Sequence, residues 1–170
     1  MLNYDGSNGN QPDFAQQDNT PLDHAWITAH IPHQGSMCLL DYVTRWDAQH
    51  IRCSASSHRL HSNPLRSRDQ LSSACGIEYA AQAMAVHGAL LAAPGSESAR
   101  TGFLLSVRGA TLHTLRLDDL DTDLDIEAIC IHSSGDNILY QFTLQAAGRL
   151  VLDGRAAVML NADIARGAST

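Results

Sequence analysis

The chain has 170 residues, a formal charge of −7 and a pI near 5.6, the size of one domain with room for a substantial core. It carries no Lys/Arg cluster, which excludes nucleic acid and anionic membrane as expected partners, and its acidity speaks chiefly to solubility. Cys38, Cys53, Cys75 and Cys130 show no CxxC pairing and no regular spacing with histidine, so reduced buried thiols are expected rather than disulfides or a metal site. No basic segment followed by an apolar one opens the chain, so no secretory signal is read. The longest apolar run, Ala80–Leu91 with Gln82 and His87 inside it, is too short to cross a bilayer, and a cytoplasmic location is expected.

Residues 1–22 are rich in Asn, Gln, Asp, Gly and Pro and nearly free of aliphatic side chains. They cannot bury enough surface to offset ordering entropy and read as a flexible tail, as do residues 163–170. One folded domain is left, over 23–162. Within it Met37–Val43 and Ile51–Ser57 read as strands joined by a turn at Asp47-Ala48-Gln49. His58–Gln70, polar, rich in His and Arg and containing Asn63-Pro64, reads as a loop. Ser72 or Ser73 is placed to cap a helix that Pro94-Gly95-Ser96 ends.

That helix, Gly76–Leu91, is apolar on nearly every side. Glu78 and Gln82 interrupt it, four apart and so on one face. A helix of this kind must be enclosed. A carboxylate in its first turn is then either a buried group that needs a partner or a working acid or base. Beyond the helix the period changes to two: Thr101–Leu112, Thr122–His132, Ile138–Ala146 and Leu150–Leu160 read as strands, with Gly135-Asp136-Asn137 and Ala147-Gly148 where hairpin turns are needed. The fold class is α+β, an antiparallel sheet curved around one long helix.

Two segments carry a resemblance. Ile31-Pro32-His33-Gln34-Gly35-Ser36-Met37-Cys38-Leu39-Leu40-Asp41-Tyr42-Val43 resembles the opening LPHRYPFLLVDRV signature of the β-hydroxyacyl-carrier-protein dehydratases of fatty acid synthesis, and Gly76-Ile77-Glu78-Tyr79-Ala80-Ala81-Gln82-Ala83 resembles their catalytic helix. A weaker third likeness covers Gly102–Leu124. The chain is most similar to a divergent branch, the dehydratase-like proteins of aryl-polyene-type clusters, in which IEYxAQA replaces IEAxAQA. The resemblance implies the hotdog fold, a sheet wrapped around a central helix. It also implies removal of water from a 3-hydroxyacyl thioester on acyl carrier protein to give the trans-2-enoyl thioester, without metal or other cofactor.

In such enzymes a histidine takes the C2 proton and a helix carboxylate protonates the departing hydroxyl, the pair meeting across a dimer interface. The resemblance makes Glu78 the general acid, Gln82 a substrate-side or structural amide, and Gly76 and Ile77 the helix start whose N–H groups polarise the thioester carbonyl. The family's histidine sits in a GHFPGxPxxPG loop. Its usual spacing lands here on Pro64, and Leu65–Gly76 contains no such element. His61, and after it His58, are the nearest candidates for the base. His33 reads as a marker of the fold, and His87 as a satisfied core or interface histidine. Cys75 adjoins the helix start, where a thiolate would be stabilised, and Arg66 and Arg68 are placed to meet a phosphopantetheine phosphate or an acidic carrier-protein helix. The expected partners are an acyl carrier protein bearing a phosphopantetheine-linked chain and a second hotdog chain, as a homodimer or as a heterodimer with a paralogous dehydratase. Two alternatives stand beside the dehydratase: a non-catalytic subunit that pairs with an active one, and a hotdog thioesterase in which Glu78 activates water.

Overall fold

The computed structural model describes residues 21–92 and 102–160. The tail expected over residues 1–20, the end beyond 160 and Pro94-Gly95-Ser96 lie outside the described residues. The described part opens with strand β1 (Leu22–Asp23) and helix α1 (His24–His30), followed by β2 (Tyr42–Trp46) and β3 (His50–Ala55). The long helix α2 (Gly76–Leu91) comes next, and then β4 (Gly102–Leu112), β5 (Leu124–Ser134), β6 (Asn137–Ala146) and β7 (Arg149–Leu160). All strand pairs are antiparallel and form one seven-stranded sheet in the order β1-β2-β3-β5-β6-β7-β4. The sheet wraps around α2, the hotdog arrangement.

Alternation builds the inner face. Ile51, Cys53 and Ala55 of β3 are buried, as are Leu124, Ile126 and Ala128 of β5 and Tyr140, Phe142 and Leu144 of β6. From α2 they meet Tyr79, Ala80, Ala83, Met84 and Val86. The helix start is pressed against the sheet: a Cβ on Gly76 would lie 2.8 Å from both the Leu144 and the Leu152 side chains, so any larger residue there requires both leucine ends to shift. One flank stays incompletely covered, with Ile77, Ala81 and Ala85 half-buried at helical spacing. His87 is fully buried and satisfied, its Nε2–H donating to the Asp47 carbonyl and its Nδ1 accepting from the Tyr140 hydroxyl, each at 2.9 Å.

The structure corrects the expectation at the front of the domain. Met37–Val43 is not a strand: Gly35–Met37 forms a 3-10 turn, residues 38–41 run without a ladder partner, and β2 begins at Tyr42. Cys38, Leu39 and Leu40 are buried in succession, so this stretch is a plug under the sheet rather than a half-exposed strand. Helix α1 has weak sequence signals, burying only Ile27, but Asp23 caps it by accepting from the Trp26 N–H at 2.9 Å. Leu22, counted with the tail, pairs with Val43.

The two hairpin turns fall where the glycines stand. Gly135 takes φ +57°, and Ala147-Gly148 takes φ +50° and +73° between the paired Ala146 and Arg149. Strand β4 has a ladder partner on one side only, β7. Its outer residues Phe103, Leu104, Leu105 and Leu112 are exposed, so the sheet ends on a long apolar edge.

Candidate functional site

Glu78 sits in the first turn of α2 and meets a histidine of the same chain: His33 Nε2 lies 3.1 Å from Glu78 Oε1. The Gln82 amide donates to the same oxygen at 2.9 Å. These two contacts, His33 foremost, hold the Glu78 carboxyl below the ordinary carboxylate pKa against the opposing effect of burial. Both side chains are about a quarter to a third exposed, 27% for His33 and 31% for Glu78, so the pair stays reachable from outside.

The segment Ile31-Pro32-His33-Gln34-Gly35 is built to present that imidazole. Pro32 restricts Ile31 to extended backbone, and Ile31 ends α1 at φ −119°, ψ +157°. The Gln34 side chain donates back to the Thr28 carbonyl at 3.0 Å, and Gly35 supplies the left-handed step at φ +57°. His33 Nε2 faces a carboxylate and therefore carries a proton toward it, while Nδ1 is buried without a partner among the described residues.

Gln82 ties this segment to the helix. Its Oε1 accepts from the Leu39 N–H at 2.9 Å and its Nε2 donates to the Met37 carbonyl at 2.8 Å. One buried amide thus supplies both ladder bonds that the non-strand Met37–Leu39 stretch lacks, and also fixes Glu78.

The structure draws neither loop histidine to Glu78. His58 is fully buried, its Nε2–H donates to the Leu120 carbonyl at 3.2 Å, and burial holds its pKa below the ordinary imidazole value. His61 is exposed on the loop and forms no hydrogen bond or ion pair among the described residues. The reason lies one residue past Glu78. The Tyr79 phenol is completely buried beneath this loop, bonded to Ser57 Oγ at 2.9 Å and to Asn63 Nδ2 at 3.0 Å. Asn63 in turn accepts from the Leu65 N–H, so the loop is clamped onto the helix through the Ser57 and Asn63 side chains rather than opened to display a histidine.

The helix start is also committed. The Gly76 N–H bonds to Ser73 and Ala74 carbonyls, and the N–H groups of Ser73, Ala74 and Cys75 go to Leu115 O, Ser72 Oγ and Ser72 O. Gly76 therefore acts through its missing side chain, and its N–H is not a free donor for a thioester carbonyl. Ile77 is half-buried on the uncovered flank beside Glu78. Cys75 is not activated: burial pushes its thiol up, and it contacts the Leu65 carbonyl at 3.8 Å. Arg66 is spent inside the loop, on the Leu60, Asp69 and His58 carbonyls and on Asp118, whereas Arg68 stands exposed in a tight turn at φ +51°.

Sequence reasoning named Glu78 and Gln82 but gave His33 to the fold alone. The signal was present in Ile31–Gly35, where a turn-forming sequence surrounds a histidine. Only the tertiary path of residues 38–41 reveals where it points. No group of three or more His, Cys, Asp or Glu among the described residues is arranged to hold a metal ion, and no helix there is long and apolar enough to cross a membrane.

Comparison with known proteins agrees with this fold. The chain is similar in structure to the dehydratase heterocomplex ApeI:P from Xenorhabdus doucetiae, with 19% identity and a TM-score of 0.71 over 81% of this chain and 92% of that one. It also resembles AziG of S. sahachiroi (16% identity, TM-score 0.53, 70% of this chain and 89% of that one). A mutant thioesterase from Pseudomonas aeruginosa shares the fold at 13% identity and a TM-score of 0.52, over 71% and 80% of the two chains. No curated protein sequence matches. The family model described as ApeP dehydratase matches residues 25–167, and the chain belongs to that ApeP-like family of hotdog dehydratases.

Proposed function

We propose that the chain is a 3-hydroxyacyl thioester dehydratase, acting on acyl carrier protein in fatty acid or polyene-type biosynthesis, with Glu78 and His33 as its acid/base pair. The observation that carries this reading is the 3.1 Å contact between His33 and Glu78 within one chain. Loss of water takes one proton from C2 and returns one to the C3 hydroxyl, with the C2–H electron pair forming the double bond as the C3–O bond breaks. With the carboxyl held ionised by its neighbours, the roles that the resemblance implies are exchanged: Glu78 acts as the base and receives the C2 proton, and His33, as the imidazolium, supplies the hydroxyl proton. Proton transfer across the His33–Glu78 contact then restores the pair, so the site needs no external acid. His58, neutral and buried, and His61, exposed and unattached, lie outside this scheme.

The apolar edge of β4 and the half-covered flank of α2 at Ile77, Ala81 and Ala85 support pairing with a second hotdog chain. Heterodimer formation with a paralogous dehydratase is the favoured form, by analogy with ApeI:P, itself a dehydratase heterocomplex. The loop without an available histidine favours a second reading, a subunit that supports an active partner without reacting itself. Incubation of the chain, alone and with a paralogous hotdog partner, with 3-hydroxyacyl carrier protein decides between them by intact mass. Loss of one water that disappears in Glu78→Gln and His33→Gln supports the first. Turnover with the partner that survives both substitutions supports the second, and release of free carrier thiol would instead establish a thioesterase.

A further inference from the structure

The outer face of the sheet carries an electrostatic conflict beside the open edge. Arg108 of β4 and Arg155 of β7 are directly opposed in the ladder, and so project on the same face. With Gly109, Gln141, Asp153 and Gly154 they line a depression of about 370 Å³. Like charges placed opposite one another destabilise a sheet. In a chain of net charge −7, Arg52, Arg59, Arg66 and Arg116 are all matched to aspartates. Arg108 and Arg155 have no such match among the described residues, and Asp153, the carboxylate that lines the depression with them, is held by His113 at 2.6 Å.

The placement matters because β4 is the long free edge, whereas the opposite edge, β1, has two residues. Two copies joined edge to edge by a twofold axis use the whole of β4 only if the axis passes near its middle, Val107. Neighbouring strands lie about 4.8 Å apart, so a central axis sets Arg155, Arg108 and their two symmetry mates side by side within about 15 Å on one face. Self-pairing concentrates four guanidinium groups, with no carboxylate of this patch free to separate them.

We infer that the Arg108–Arg155 pair selects a non-identical hotdog partner, one that brings carboxylates to the strand facing Arg108, and disfavours a homodimer. The inference rests on the reading that β4 is the pairing edge. Sedimentation of the full chain tests it without any knowledge of the natural partner. Wild type alone should associate weakly at about 50 mM salt and at least tenfold more tightly at about 500 mM, where like charges are screened. A mixture of wild type with R108E/R155E should associate at least tenfold more tightly than either alone at low salt, with the opposite salt dependence. R108Q/R155Q, a milder change that keeps similar shape, should raise self-association at low salt. A wild-type dimer that is tight at low salt and indifferent to salt and to these substitutions overturns the charge selection. Association that survives Leu105→Asp, or that fails in every mixture, overturns the edge reading itself.

Discussion

Gln82 and Leu39 are joined by a buried hydrogen bond, Oε1 to backbone N–H at 2.9 Å, that takes the place of a strand pairing. Because the same amide also serves the Met37 carbonyl and Glu78, its loss has two separable effects. Gln82→Leu fills the space but leaves a buried N–H and a carbonyl unpaired, at about 1–3 kcal/mol each, so we expect about 2–6 kcal/mol of destabilisation by urea unfolding at neutral pH. Gln82→Glu, which can still accept from Leu39 but places a second carboxylate beside Glu78, should raise the Glu78 pKa and shift the acid limb of the activity profile upward. An unchanged unfolding midpoint in Gln82→Leu would contradict the strand-substitute role.

His33 and Glu78 act in the proposed chemistry as one unit sharing a proton. Each single substitution to Gln should lower kcat by roughly 100-fold or more, and the double variant should be little worse than either. Independent, additive losses measured with the same 3-hydroxyacyl carrier protein would separate the two residues. The fold should persist in all three variants, because both side chains are partly exposed.

Two buried histidines tie stability to pH. His58 and His87 both have pKa values lowered by burial, so between the ordinary imidazole value near 6.5 and their folded values the unfolded chain binds more protons than the folded one. Their contribution is complete above about pH 6.5 and is lost as pH falls below it, at up to about 1.4 kcal/mol per unit for each histidine. Unfolding free energy should therefore drop between about pH 7 and about pH 5.5. His87→Gln, which can still donate to Asp47 and accept from Tyr140, should remove part of that slope. Glu78 acts lower down: its depressed carboxyl contributes above the unfolded value of 4.5, and that contribution is lost only as pH falls through the folded value.

Ala147 occupies a left-handed position, φ +50°, ahead of Gly148 in the β6–β7 turn. Asparagine tolerates this conformation far better than alanine, and Asn-Gly is the preferred pair for a two-residue hairpin. Ala147→Asn should raise stability by about 0.5–1 kcal/mol, read as a higher thermal midpoint with activity unchanged.

The strands β3, β5, β6 and β7 were legible because each has one clean period and one dominant buried face, and the helix α2 because it is apolar on nearly every side between a serine cap and a Pro-Gly stop. Met37–Val43 misled because Cys38, Leu39 and Leu40 are buried in sequence order, a pattern that a strand and a packed plug share. Glu78 could be found as a carboxylate on an apolar helix. Its partner could not, since the approach of His33 depends on where that plug sends the chain. Tyr79 explains the remaining miss: a phenol beneath the His58–Gln70 loop fixes the loop through Ser57 and Asn63, which no periodicity foretells.

The strand order has a consequence in time. Strand β4 is made well before β7 but has no other ladder neighbour, so the outer edge of the sheet does not exist until residues 149–160 have been synthesised. Until then the Phe103–Leu105 segment has nothing to pin it as a strand. A nascent chain on the ribosome cannot recruit a companion through this edge early, and assembly is coupled to completion of the fold.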